Sequence, residues 1–253
     1  MKIVILPNAD AVGHAAADLI HDGIESGIVR TLGVATGSSP LGIYASLAAR
    51  RTERTAALTA FALDEYVGLD PAHPESYTSV IRRTVTEPLG LDPARVILPD
   101  GGASDLAAAS EAYEDAIDAA GGIDLQILGI GSDGHIGFNE PGSSLSSRTR
   151  VKTLTPITRE DNARFFDSID EVPVHSLTQG LGTILEAGSI VLVATGRGKA
   201  DAVAQLVEGP LSARWPATVL QMHPAVTVFL DEEAASGLEL TDYYRFIQEN
   251  RRR

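Results

Sequence analysis

Asp133, His135 and Glu140 fall inside one glycine-rich stretch, Gly129-Ile130-Gly131-Ser132-Asp133-Gly134-His135-Ile136-Gly137-Phe138-Asn139-Glu140-Pro141. An imidazole flanked by two carboxylates can carry a raised pKa and a fixed tautomer, which suits general acid–base work on hydroxyls such as those of a sugar. A metal site is the competing reading, although three ligands in one tight loop without an HExxH helix make a weak cage. A plain turn-rich loop with a surface histidine is the third. Asp64-Glu65-Tyr66 follows a hydrophobic strand. A carboxylate at such a strand end, in partly apolar surroundings, is placed to act as a base, and a helix cap is its alternative.

Two further segments suit an anion. Thr36-Gly37-Ser38-Ser39-Pro40 offers backbone N–H groups, two hydroxyls and the positive end of a helix dipole, which is what a phosphate binds. An ordinary N-cap with a turn glycine has the same letters. Thr195-Gly196-Arg197-Gly198-Lys199 repeats the arrangement, with Lys199 either a point charge for the phosphate or a solvated helix-start lysine. It is not a Walker A loop, because Ala200 follows the lysine and Val193 stands where the first glycine belongs. Gly129–Gly134 matches GxGxxG by letter, yet no amphipathic helix follows and the segment lies mid-chain, so a dinucleotide site is rejected. Ser132 is no nucleophile elbow, since Ile130 occupies the position of the first glycine. His14, His21, His73, His175 and His223 lack such company and read as structural or surface residues.

These segments are positioned by alternating elements. Strands are expected over Lys2–Leu6, Thr31–Ala35, Thr59–Leu63, Val96–Leu98, Asp124–Ile130, Ser189–Ala194 and Val226–Leu230. Helices are expected over Asp10–Ser26, Pro40 to about Arg50, Ser76–Val85 (stopped by Pro88), Asp105–Ala120, Thr178–Ala187, Lys199–Val207 and Thr241–Asn250. Another begins in capping fashion at Thr158-Arg159-Glu160-Asp161. Alternation of this kind predicts an α/β fold: an open, mainly parallel twisted sheet with helices on both faces, Rossmann-like and three-layered. No repeat or linker divides the chain, so a single domain over residues 1–253 is expected. In such a sheet the four chemical loops all follow strand carboxyl ends and share one edge.

Composition narrows the function. The net charge is −14, from 20 basic and 34 acidic residues, and a surface so acidic repels phosphate backbones, which argues against nucleic acid. The basic run Arg251-Arg252-Arg253 reads as a solvated tail. There is no cysteine, which excludes disulfides, thiolate nucleophiles and cysteine-based metal centres. No apolar run approaches the roughly 18 residues of a membrane span, and the short apolar start is no signal peptide, so cytoplasmic residence is expected.

Leu63-Asp64-Glu65-Tyr66-Val67-Gly68-Leu69, His73-Pro74-Glu75-Ser76-Tyr77, Gly131–Pro141 and Ser147–Thr155 together resemble the glucosamine-6-phosphate deaminase family. The resemblance continues through Asn162-Ala163-Arg164-Phe165-Phe166 and Val207-Glu208-Gly209 to Leu220-Gln221-Met222-His223-Pro224; roughly the last twenty residues depart from the pattern and end early. It implies a cofactor-free, metal-free conversion of glucosamine 6-phosphate and water to fructose 6-phosphate and ammonia in amino-sugar catabolism. Carried onto these residues, phosphate is held by Gly37, Ser38, Ser39, Arg164 and Lys199. His135 assists ring opening, oriented by Asp133 and Glu140, and Asp64 takes the C2 proton. Residues of about 156–182 resemble the family's mobile lid. Some members are hexamers activated by N-acetylglucosamine 6-phosphate; Ser143, Arg150 and Lys152 match that second site, and Tyr244 falls near an aromatic contributing to it. Arg150 and Lys152 also fit a solvated strand face, and the shortened C-terminus removes part of that pattern. The rival readings are a 6-phosphogluconolactonase-type hydrolase and a non-catalytic sugar-phosphate sensor; the sensor would need a DNA-reading module that this acidic chain does not display.

Overall fold

The computed structural model describes residues 1–250, so Arg251-Arg252-Arg253 lies outside the described residues. β1 (Lys2–Leu6) passes directly into α1 (Ala9–Glu25), whose first turn is capped by the Asn8 side chain accepting from the Ala11 N–H. Such a cap contributes about 1 kcal/mol by giving a partner to one orphan N–H. Val12, Ala16, Ile20 and Ile24 recur at helical spacing and bury one face of α1. Then follow β2 (Thr31–Val34), α2 (Leu41–Ala48), α3 (Glu53–Ala56), β3 (Thr59–Ala62), β4 (Asp64–Tyr66), α4 (Tyr77–Ile81) and α5 (Glu87–Leu89). β5 (Val96–Ile97), α6 (Leu106–Ala119), β6 (Leu125–Leu128), β7 (Arg150–Thr153), α7 (Pro156–Ala163) and β8 (His175–Thr178) form the middle. α8 (Leu181–Leu185), β9 (Ser189–Ala194), α9 (Ala200–Glu208), β10 (Val226–Asp231) and α10 (Thr241–Glu249) complete the chain.

Among the described residues, seven strands form one sheet in the order β1-β10-β9-β6-β2-β3-β5. Every neighbouring pair is parallel. Its core explains the continuous apolar runs. Along β9, Ile190, Leu192 and Ala194 enter one buried cluster with α6, α8 and α9, while Val191 and Val193 enter the other with α1 and α2. A strand buried on both faces needs apolar residues at every position, each large one contributing about 1.5–3 kcal/mol. The expected three-layer α/β architecture is therefore present. Gly33 in β2 has a steric reason, since a Cβ there would sit 2.0 Å from the Gln126 side chain.

The second sheet was not anticipated. β4, β8 and β7 pair antiparallel, with Asp64 opposite Thr178 and Thr178 opposite Arg150. The helix expected over Thr178–Ala187 starts only at Leu181, and Thr178 belongs to a strand. The helix expected from Thr158 begins at Pro156, with the Thr155 side chain accepting from the Thr158 N–H; proline's missing donor is harmless at that first position. Pro88 does not stop its helix. A π turn over Arg82–Thr86 widens the backbone just before it, which relieves the proline ring, and the helical run ends at Gly90 with φ of 69°. No helix among the described residues is long and apolar enough to cross a membrane.

Candidate active site

β9, β6, β2 and β3 are neighbours, so the loops after them meet at one edge. They enclose a cavity of about 430 Å³, lined among others by Ser38, Ser39, Asp64, His135, Arg164 and Lys199. The acidic exterior is locally reversed at one end, where Arg164 of the α7 C-cap and Lys199 face the Ser38-Ser39 loop. Burial holds the Lys199 ammonium below its ordinary range; Arg164 pushes the same way, while Asp161 and Asp133 oppose it. Gly37 takes φ of 89°, the turn that lets the chain enter α2 with Pro40 at its N-cap. The second glycine loop is less free than its letters suggest. The Gly196 N–H donates to both Asp231 carboxylate oxygens (3.0 and 2.9 Å), and the Arg197 N–H donates to Glu233. Gly198 and Lys199 are what this loop presents to the cavity, beside Thr195.

At the other end His135 lines the cavity, while Asp133 and Glu140 stand behind its ring. His135 Nδ1 lies 2.7 Å from Asp133 Oδ1 and 3.8 Å from Glu140 Oε2. A carboxylate acceptor places the proton on Nδ1 and leaves Nε2 as the free ring nitrogen. Burial works against the charge on Asp133, but the hydrogen bonds and charge of His135 outweigh it and hold this carboxyl below its usual range. Glu140 is 2% exposed and accepts from the Thr155 N–H and, more weakly, its hydroxyl. Gly131 is required here, because a Cβ would come within 2.2 Å of the imidazole. No helix follows Gly131; the loop closes instead through the Gly134 N–H to Gly131 O and an isolated bridge between Ile136 and Asn139. One ligand atom each from Asp133, His135 and Glu140 lies within 4.8 Å of the others, so this cluster is also the place a cation would find donors.

Asp64 is 5% exposed and lines the same cavity. Burial, then the charge of Glu65, push its carboxyl well above the usual range. Glu65 itself points away from the cavity lining. It accepts from the N–H groups of Tyr66, Tyr77 and Thr78 and from the Thr78 hydroxyl, all at 2.8–2.9 Å. It thereby ties β4 to the start of α4 and brings Tyr77 to the cavity wall. The Tyr77 ring stacks on Phe138 and leans on Tyr66.

Sequence reading assigned no role to Tyr77, Glu65, Asp161 or Asn139. Tyr77 and Asp161 line the cavity, and the signal for Tyr77 lay in the His73–Tyr77 motif. Asp161 is joined to the site through the Ser132 hydroxyl at 3.4 Å. Three of the four second-site candidates, Ser143, Arg150 and Lys152, lie around Asn139-Glu140, while Tyr244 sits apart on α10. Ser143 is buried and donates to Glu140 O at 2.7 Å. Arg150 donates to Asn139 Oδ1 at 2.8 Å, and burial holds its guanidinium below its ordinary range. Lys152 lies two residues along β7, its ammonium lowered first by burial and then by Arg150. Tyr244 lies on α10, a helix packed along β1, where burial and Glu208 push its phenol up to about 12.

Comparison with known proteins agrees with this geometry. The model of a family described as glucosamine-6-phosphate isomerases/6-phosphogluconolactonase matches residues 7–229. A protein of Arthrobacter sp. (strain FB24) named glucosamine-6-phosphate deaminase is 58% identical over 248 residues, covering 97% of this chain and 95% of that one. One of the same name from Streptomyces coelicolor is 57% identical over 249 residues, covering 97% and 95%. Among solved structures, one described as a monomeric glucosamine-6-phosphate deaminase superposes with a TM-score of 0.90 at 41% identity, covering 94% of this chain and 100% of that one. A 6-phosphogluconolactonase from Trypanosoma cruzi reaches 0.76 at 22% identity, covering 94% and 97%, a likeness of fold alone. With the family model spanning most of its length and relatives more than half identical end to end, this chain belongs to the glucosamine-6-phosphate isomerase/6-phosphogluconolactonase family.

Proposed function

We propose that this chain is a glucosamine-6-phosphate deaminase, converting glucosamine 6-phosphate and water to fructose 6-phosphate and ammonia. The observation that carries the reading is a buried carboxylate, Asp64, sharing one cavity with a carboxylate-backed imidazole, His135, and a cationic anion cradle. In this reading Ser38, Ser39, Arg164 and Lys199 hold the phosphate and fix the sugar's register, with Gly37 shaping the loop. Nε2 of His135 moves the proton between the anomeric hydroxyl and the ring oxygen as the pyranose opens. Asp133 and Glu140 stabilise the imidazolium that forms in between.

Asp64 then takes the C2 proton of the open-chain aldose, leaving a C1–C2 enolamine. Its low exposure strengthens it as a base and lets it retain the proton until C1 receives one. Protonation at C1 gives the C2 iminium; water adds at C2 and ammonia leaves, which balances the reaction. Fluid access matters, and α7 with the turn after it carries Arg164 over the cavity while leaving Ile157, Phe165 and Ile169 exposed. We assign the lid role to this part. Ser176–Leu181, at the end of the expected lid, is buried in the small sheet and below it.

The test is ammonia release from the purified chain given glucosamine 6-phosphate, with fructose 6-phosphate as co-product. No release, together with hydrolysis of 6-phosphogluconolactone, would replace this reading with the lactonase. The same assay decides the second site. Activation by N-acetylglucosamine 6-phosphate, with a sigmoidal curve turned hyperbolic and a hexamer on sedimentation, establishes it; a hyperbolic monomer unaffected by the acetylated sugar removes it.

A further inference from the structure

Asp64 and His135 reach the cavity from different parts of the fold, yet one fully buried side chain joins their supports. Asn139 is 0% exposed. Its Nδ2 donates to Ile136 O at 2.9 Å, closing the loop that carries His135, and to Gln179 O at 2.8 Å. Its Oδ1 accepts from Arg150 at 2.8 Å. Only one amide orientation serves a cation on one side and two carbonyls on the other. Gln179 in turn donates its N–H to Leu63 O at 2.9 Å, and the preceding Thr178 is the strand partner of Asp64. A second bond runs parallel, from the Phe138 N–H to the Thr178 hydroxyl at 3.1 Å.

We propose that Asn139 is a positioning residue that sets the distance between the Asp64 base and the His135 acid–base pair, with Thr178 as its auxiliary. The inference rests on the roles given to Asp64 and His135 above. The Asn139 amide touches neither the cavity nor the phosphate cradle, so its effect is on the geometry of proton transfer and not on binding. An error of about 1 Å between reacting groups costs on the order of 100-fold in rate.

The test is steady-state kinetics of folded Asn139→Ala and Thr178→Val with glucosamine 6-phosphate. Asn139→Ala should lose about 30- to 100-fold in kcat while KM stays within about threefold. Thr178→Val, which keeps the side-chain shape and removes the hydroxyl that accepts from Phe138 N–H and donates to Gln179 O, should lose about three- to tenfold in kcat. In an Asp64→Asn background either change should cost less than about twofold more, because the placement of an absent base no longer matters. A merely structural role would multiply the losses. Unchanged kcat, a KM rise that accounts for the loss, or multiplicative losses overturns the proposal. Should Asn139→Ala fail to fold, Thr178→Val alone and with Asp64→Asn decides it. Absence of ammonia release in the unaltered chain fails the deaminase reading; failure confined to the variants fails this inference alone.

Discussion

The parallel sheet and the small antiparallel sheet both border the cavity, and they supply different chemistry. Two loops of the parallel sheet, with Arg164 brought over them from the α7 C-cap, give a wide, wet anion cradle in which Gly37, Ser38 and Arg164 remain exposed. The small sheet and the loop packed on it give a dry end, where Asp64 and Glu140 are almost fully covered. Phosphate binding needs charge and N–H groups that can shed water. Abstracting a weakly acidic proton needs a carboxylate deprived of it. One catalytic cavity is thus assembled from a generic edge of a doubly wound sheet and a private structure of three short strands.

That contrast breaks most sharply at Asp64. Asp64→Asn should lower kcat by about 1,000-fold or more and leave KM within a fewfold, read by ammonia release. The same variant should melt higher than the parent at neutral pH. Asp64's folded pKa lies above its unfolded value, so its contribution to stability is complete below the ordinary carboxylate range and is lost as pH rises through the folded value. The gain in Tm should therefore vanish on acidification, as scanning calorimetry across pH would reveal. A substitution at the wet end should give the opposite kinetic pattern. Lys199→Met should raise KM about 10- to 100-fold with a smaller change in kcat, since a charge-assisted bond to phosphate is lost.

Glu65→Gln sharpens the comparison inside the dry end. Removing the second cause of the Asp64 shift should move the acid limb of the kcat/KM profile to lower pH, because the base stays ionised further down. An unmoved limb would show that burial alone sets this group. The smallest effect is expected at Asp161, a carboxylate beside Lys199 within the anion cradle. Asp161→Asn should lower KM about two- to threefold at low salt, with the difference fading as ionic strength rises.

The two ends were also unequally legible. β9 reads as a strand from six consecutive residues that suit burial on both faces, and α1 from its apolar spacing. β4, β8 and β7 hold three or four residues each, too short for a period to show. β7 runs Arg-Val-Lys-Thr with its partners far away in sequence, so only pairing with β8 makes it a strand. The sequence pattern predicts Thr178 in a helix because the apolar spacing of Leu181 and Ile184 extends easily backwards. Gly180, whose Cβ would meet Ser147 O at 2.0 Å, enforces the boundary by tertiary contact.

The sequence by itself determined the parallel sheet, the strand-end placement of four loops and the identity of the groups that could work in them. Each of these follows from local periodicity and residue chemistry. Only the tertiary structure decided which groups face the cavity. It put Asp133 and Glu140 behind His135, spent two N–H groups of the second glycine loop on Asp231 and Glu233, and turned Glu65 into a helix tie beside Asp64. It also joined the two ends through Asn139. Those outcomes depend on hydrogen-bond partners far apart in the chain, as with Asn139 and Gln179 forty residues on, and no local pattern encodes them.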